Sequence, residues 1–263
     1  MQIWNIIDTG IGSTDWNMAV DEALLYTFSE DDRPILRVYG WHKSLSFGRY
    51  SKPHENLDMN RLSVQKTPYA RRPTGGGILI HDGDISYSII IPRKMLKNYG
   101  IKESYHYLCQ FLIKFYEKLE LKAEFASDLN LNIQSSDICL AGHEAYDIII
   151  NGKKMGGNAQ RYTKYTLLQH GTIPIHFDKK YFEPLFLKDS GLQYAASLRE
   201  LGVTAQYKDS IHLLIESFSE TFHARLSVSQ LNPFQQEYAQ NLLNNKYKQE
   251  NWNINGKEAV ESK

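Results

Sequence analysis

The sequence predicts an α/β (α+β) fold: one domain in which a mixed β-sheet is flanked by helices. Three observations lead there. Apolar runs of strand length dominate the first two thirds of the chain. Tight-turn dipeptides, Asp82-Gly83 and Asn151-Gly152, separate several of these runs, so neighbouring strands fold back on one another rather than crossing over in parallel. Helical spacing then appears between strands and prevails beyond about residue 178. With no internal repeat and no low-complexity linker, sheet and helices belong to one continuous domain over 1–253, followed by a tail at 254–263 that is expected to fray.

QIWNII (2–7) is a short strand. Thr14 or Asp15 then caps a helix through about Ser29, with Trp16, Val20, Ala23, Leu24 and Phe28 on one face. Pro34 closes the next turn, and ILRVYGW (35–41) and SLSFGRY (44–50) are strands. PYARR leads into three glycines, ILIH follows, and Asp82-Gly83 reads as a hairpin that folds the next strand back beside it. Tyr105, Leu108, Phe111, Leu112, Phe115 and Leu119 mark a helix over about 104–121, and 126–138 is a polar loop. AYDIIINGKKMGGNAQ (145–160) carries the strongest short hairpin signal, Asn-Gly, and TLLQHGTIPI (166–175) supplies another strand.

Composition narrows the function classes. Of 263 residues, 42% are hydrophobic, 23% charged and 12% aromatic, enough for a sizeable core. Thirty basic residues balance thirty acidic ones, so no overall field draws nucleic acid or an anionic membrane. Cys109 and Cys139 form no CxxC pair, and no residue cluster has metal-ligand spacing, so no metal site is expected. The N-terminus lacks a signal-peptide pattern and no stretch approaches a membrane span, so a cytoplasmic protein with reduced thiols is expected.

Two glycine-rich stretches carry the chemistry. Gly75, Gly76 and Gly77 let backbone take positive φ and press close to a ligand, and Arg71 and Arg72 can bring a guanidinium to the same anion. A tight strand crossing explains the glycines equally well when they are taken alone. In NGKKMGGNAQRY, Lys154 follows a tight turn beside Gly156 and Gly157, placed to meet a carboxylate, thioester carbonyl or phosphate. A lone lysine is usually a solvated charge, but two such cation-bearing stretches in one domain are much less easily accidental. His81 and His170, the latter beside Gln169, are pocket candidates set against the commoner structural histidine. Arg49 reads as a surface arginine with the ligand channel as the alternative, and Asp21 and Glu22 as capping or solvent-facing groups.

Read together, RRPTGGGILIHDGDISYSIIIP, NGKKMGGNAQ and LLQHGTIPI resemble the biotin/lipoate protein ligase and octanoyltransferase family. DWNMAVDEALLY, PILRVYGW and NNKYKQENWN resemble it in the same order, so the likeness runs from about residue 4 to about residue 253. It implies an enzyme that attaches an octanoyl or lipoyl group to one lysine of a lipoyl domain, in 2-oxoacid dehydrogenases or glycine cleavage H protein. Ligases of this family use ATP and Mg to form lipoyl-adenylate. In them the positions matching Arg72, the segment Gly77, Ile78, Leu79 and Ile80, and Lys154 contact nucleotide or lipoate. Cysteine-dependent transferases need no such cofactor and take octanoyl from acyl carrier protein, or move it between lipoyl domains, through an enzyme thioester. Their cysteine stands seven residues before the aromatic residue of the strand preceding the lysine turn, as Cys139 does before Tyr146. The likeness is closest to these transferases, with Cys139 as nucleophile, Lys154 raising its thiolate fraction and steadying the oxyanion, and His143 as a possible base. Cys109, in a helical apolar pattern, is core. The residues after Cys139, LAGHE, depart from the aromatic, acidic and proline-bearing sequence usual in transferases, and TGGG is the form usual among ligases. The ATP-dependent ligase is therefore the rival reading, and a non-catalytic acyl-binding module the third.

Overall fold

A computed structural model describes residues 1–129 and 145–258. Cys139 and His143 lie outside the described residues, as does most of the stretch expected to be a loop. β1 (Gln2–Gly12) leads into α1 (Thr14–Thr27), then β2 (Ile35–Trp41) and β3 (Ser44–Phe47). Two short helices, α2 (Pro53–Asn56) and α3 (Met59–Gln65), precede β4 (Tyr69–Arg71), β5 (Ile78–His81) and β6 (Asp84–Pro92). α4 (Ile101–Lys118) is followed by β7 (Glu124–Phe125), β8 (Ile148–Ile150), β9 (Lys153–Lys154), β10 (Gly157–Tyr162) and β11 (Thr166–Pro174). The chain ends with α5 (Lys179–Phe182), α6 (Tyr207–Phe222), β12 (Ala224–Ser229), α7 (Pro233–Leu242), a π-helical turn at Leu243–Tyr247 and α8 (Glu250–Asn255).

The main sheet runs β10-β11-β6-β2-β1-β12. β1 pairs in parallel with both β2 and β12, while the remaining neighbours are antiparallel, so the sheet is mixed as expected. β4-β3-β5 and β7-β8-β9 form two small further sheets. Asn151 and Gly152 turn β8 into β9 with left-handed φ at both positions, the geometry that favours Asn-Gly. Asp82-Gly83 does something else. β5 pairs with β3 and β6 with β2 and β11, so this turn carries the chain from one sheet to another instead of closing a hairpin. β12 also departs from the helical expectation for the C-terminal third; its half-exposed ARLSVS offers only a weak strand signal, and docking beside β1 completes it.

β6 is buried along its whole length, and its alternation separates two jobs. Ile85, Tyr87, Ile89 and Ile91 join Leu36, Val38 and Leu167 under α4 and α6, against Phe111, Phe115, Leu214 and Phe218. Each such side chain contributes roughly 1.5–3 kcal/mol on burial. On the opposite face Ile7, Ile35, Ile90 and Leu168 pack against Val20, Ala23 and Leu24 of α1 and Ala239 of α7. That apolar packing occupies only part of the face. The adjoining part is polar, and it holds the site.

The C-terminal end is tied down as far as it is described. Asn253 is buried, Ile254 packs against the cluster around Leu45 and Phe47, and Gly256 caps α8 in the left-handed region. Glu258 lies 2.9 Å from Lys246 and 3.5 Å from Arg49. Residues 259–263 lie outside the described residues.

Candidate active site

Asp84, Ser86 and Ser88 alternate along β6 onto the α1 side of the sheet, where His170 and Thr172 of β11 and Arg37 and Tyr39 of β2 stand in register beside Ser88 and Ser86. All are buried. Such polar groups are costly in a core unless each finds a partner, and Asp21 on α1 supplies one. Its Oδ1 accepts from Arg37 Nη1 and Ser88 Oγ, both at 2.6 Å, and its Oδ2 from Tyr39 OH at 3.1 Å. His170 Nδ1 stands 2.8 Å from the same Oδ2. Burial alone would raise the Asp21 pKa, but Arg37 and His170 outweigh it and hold the carboxyl below its ordinary value. Asp21 and Glu22 therefore neither cap nor face solvent: α1 turns both inward, and Glu22 accepts from Tyr247 OH at 2.6 Å and pairs with Lys246 at 2.9 Å.

His170 continues the chain of contacts, its Nε2 lying 2.6 Å from Thr74 Oγ1, so an Asp–His–hydroxyl line runs from α1 to the foot of the glycine segment. A second line parallels it. His81 Nδ1 lies 2.7 Å from Asp84 Oδ2, which also accepts from Thr172 Oγ1, and His81 Nε2 lies 2.7 Å from Ser46 Oγ. Ser46 Oγ in turn accepts from Arg72 Nη1 at 2.8 Å. Trp41 stacks on the His81 ring at 3.8 Å and donates to Ser86 Oγ at 2.7 Å.

The two arginines before the glycines serve different ends. The Arg71 guanidinium is taken up by backbone carbonyls. Buried, it donates to the carbonyls of Gly48, Arg49, Ser51, Trp252 and Ile254 at 2.7–2.9 Å, binding the β3–α2 loop to α8. Arg72 donates to the Gly77 carbonyl at 2.8 Å and to the Gly75 carbonyl at 3.3 Å, which fixes the glycine segment from inside. Gly76 takes the left-handed φ of +94°. It also comes so close to Gly48 that a Cβ on Gly48 would overlap the Gly76 carbonyl oxygen.

A narrow cavity opens between these lines. Arg72, Gly75, Gly76, Leu79, His81, Gly157 and His170, all candidates from the sequence, line it. Gly77, Ile78, Ile80, Gly156 and Lys154 are not among its described lining residues. Ile78 and Ile80 alternate away from Leu79 and pack with Leu45 and Phe47. Gly156, at φ +72°, brings its backbone so near the Thr172 carbonyl that no side chain fits between. Lys154 is not a strand-edge cation facing solvent: it is buried, with its Nζ 2.6 Å from Asp147 Oδ2.

Met18, Tyr39, Trp41 and Asn158 complete much of the lining, and sequence reasoning missed them as site residues. It also missed Asp21, Arg37, Thr74 and Arg161, whose Nη1 donates to the Pro73 carbonyl at 2.7 Å. A usable signal existed in DISYS, where polar residues alternate inside a strand too apolar to be an edge. Cys109 is core as expected: buried, accepting from Gln169 Nε2 at 3.4 Å, with its thiol pKa pushed far up by burial. Among the described residues no His, Cys, Asp and Glu group is arranged to hold a metal, and no helix is long and apolar enough to cross a membrane.

Comparison with known proteins gives this geometry a family. The chain belongs to the lipoyl protein ligase A/B catalytic domain family, whose model matches residues 13–219. It is similar to a protein of Kyrpidia tusciae named octanoyltransferase LipM, 32% identical over 96% of this chain and 99% of that one. Among solved structures it is similar to a lipoate-protein ligase A bound with ATP, with a TM-score of 0.84 and 25% identity over 96% of this chain and 99% of the other. It shares its fold with a bi-partite lipoate protein ligase of Thermoplasma acidophilum studied with its E2 lipoyl domain, at a TM-score of 0.82 and 23% identity, over 99% of this chain and 100% of that one.

Proposed function

From membership of that family we propose that the protein transfers octanoyl groups to the acceptor lysine of lipoyl domains. The observation that carries this reading is end-to-end similarity to a relative named octanoyltransferase, at 32% identity. The cavity is consistent with it: Met18, Tyr39, Trp41 and Leu79 offer apolar walls to an alkyl chain, while Arg72 and the glycine backbone stand at a polar side.

In this reading octanoyl arrives as a thioester on acyl carrier protein in the cytoplasm. The Cys139 thiolate attacks its carbonyl, the carrier thiol leaves, and the acceptor lysine then displaces the Cys139 sulfur. Backbone N–H groups of the glycine segment steady the oxyanion of each tetrahedral intermediate, a contribution of about 3–4 kcal/mol for a well-placed donor. Lys154, paired with Asp147 and outside the described lining, adds its charge from behind that wall. Gly75, Gly76 and Gly157 let the acyl group lie against bare backbone, and His81 and His170 form polar walls. No cofactor beyond the transferred group is required; ATP and Mg belong to the ligase alternative, which the named relatives do not favour.

Intact-mass measurement after mixing with octanoyl-acyl carrier protein tests the reading. One added octanoyl group is expected, Cys139→Ser should abolish it, and a lipoyl domain should discharge it. Pyrophosphate release from ATP and lipoate, with no octanoyl adduct, would overturn the thioester route.

A further inference from the structure

A cluster of charge outside the cavity borders the glycine segment, and the acyl-transfer reading does not use it. Arg49 Nη2 and Lys246 Nζ converge on one oxygen, Glu258 Oε1, at 3.5 and 2.9 Å. Both cations stand over the buried Trp252 ring, 5.2 and 4.1 Å from its centre, so one aromatic side chain anchors the pair. The Arg49 N–H donates to the Thr74 carbonyl at 2.7 Å, and Gly48 lies against Gly76, which lines the cavity.

The charges in this cluster do not cancel. Lys246 also pairs with the buried Glu22 at 2.9 Å. Burial lowers the Arg71 pKa, and the Arg49 guanidinium nearby lowers it further. The Arg71 guanidinium bonds to carbonyls, so no described carboxylate offsets it. Three cations, Arg49, Arg71 and Lys246, therefore stand with two carboxylates, Glu22 and Glu258. One positive charge is in excess, and a second appears when Glu258 leaves.

Arg49 also has a donor to spare. Its Nη1 is buried and has no hydrogen-bond partner among the described residues. Nη1 and Nη2 share one carbon, a fork that suits an anion offering two oxygens at once. Glu258 gives the fork a single oxygen, at 3.5 Å, from a half-exposed side chain. An ion pair of that kind holds weakly and exchanges readily.

We propose that Arg49 and Lys246 form a seat for a phosphate-class anion, which takes the place of the Glu258 carboxylate. A phosphate group answers the excess charge and has oxygens enough to meet Lys246 Nζ and both ends of the Arg49 fork. Glu258, tethered to the same chain, is its internal competitor. Two sources supply such a group. One is the phosphodiester of the arm that bears the carrier's thioester, and this source rests on the acyl-transfer reading. The other is the nucleotide of the ligase alternative. In both, the phosphate travels with the acyl group that enters the cavity.

Titration calorimetry with inorganic phosphate at fixed ionic strength tests the seat without any turnover. Glu258→Gln should bind phosphate several-fold more tightly than wild type, and Arg49→Gln about tenfold more weakly. Unaltered binding in both variants would overturn the seat. Should Arg49→Gln melt early, Glu258→Gln decides alone. A lower melting temperature in that variant, with phosphate binding no tighter, would make Glu258 a latch for the tail and nothing more. Two thioesters then separate the sources. Octanoyl-phosphopantetheine and octanoyl-pantetheine differ by the phosphate, and wild type should favour the former. Arg49→Gln should shrink that ratio of kcat/KM about tenfold; an unchanged ratio would rule out the arm. A wild type that transfers octanoyl from neither thioester nor from acyl carrier protein overturns the acyl-transfer reading. The phosphate titration still judges the seat in that case, and ATP titrated into the same variants shows whether a nucleotide fills it.

Discussion

Asp21 meets Arg37, Tyr39, Ser88 and His170 at once, so its replacement exposes how much of the polar strip depends on one charge. Asp21→Asn leaves a buried guanidinium without its counter-charge, which costs about 3–5 kcal/mol. Because the folded-state pKa of Asp21 is lowered, its stabilising contribution is present above the unfolded value and is lost as pH falls through the folded one. Wild-type stability should therefore fall as pH drops below about 4, and Asn at this position should flatten that dependence. Urea melts at neutral and acid pH measure both effects. Lys154 obeys the same logic with the signs exchanged. Lys154→Ala removes the ammonium 2.6 Å from the buried Asp147 carboxylate, so lost activity in that variant has to be separated from lost folding by a melting curve. Neither burial was legible in the sequence: charged residues are rarely buried unless paired, and nothing local names a partner 16 residues away, as Arg37 is from Asp21.

At the scale of elements, the glycine segment is set by what leans on it. Gly48 of the β3–α2 loop admits no Cβ, whereas a Cβ on Gly75 meets nothing within 4 Å and Gly75 has no positive φ. Gly48→Ala should therefore displace the loop, cost about 1–3 kcal/mol and lower activity with it. Gly75→Ala should stay within about 0.5 kcal/mol of wild type; a loss of activity there, at unchanged melting temperature, would mark direct approach of substrate to that backbone. Assay and thermal melt of the two variants make the comparison. Much of this element was readable in advance, because three glycines running into ILIH signal a bend held against a strand. The partner strand was not: Asp82-Gly83 has hairpin chemistry, yet β5 finds better partners in β3 than in β6, and tertiary pairing overrides the local turn preference. β12 escaped notice for the complementary reason, since a half-exposed outer strand carries little alternation to detect.

Across the whole molecule, the C-terminal helix closes the structure over its own middle. Arg71 grips the carbonyls of Trp252 and Ile254, and the Trp252 indole donates to the Arg71 carbonyl at 3.1 Å. Trp252→Ala should cost about 3–5 kcal/mol and make the loop around Gly48 more susceptible to limited proteolysis, a combination read by melting and digestion of the same sample. Fold class was legible because alternation, turn chemistry and helical spacing agreed over most of the chain. The polar strip was less so, since His170 and Thr74 are separated by 96 residues and only the register of β6 and β11 brings their neighbourhoods together. Sealed beneath that sheet, Cys109 gives the protein a native timer. A thiol reagent can modify this sulfur only during the instants when the interior parts, so the rate of its labelling counts those excursions. Octanoyl-loaded protein and free protein, timed this way side by side, would reveal how far cargo in the cavity quiets the breathing of the sheet above it.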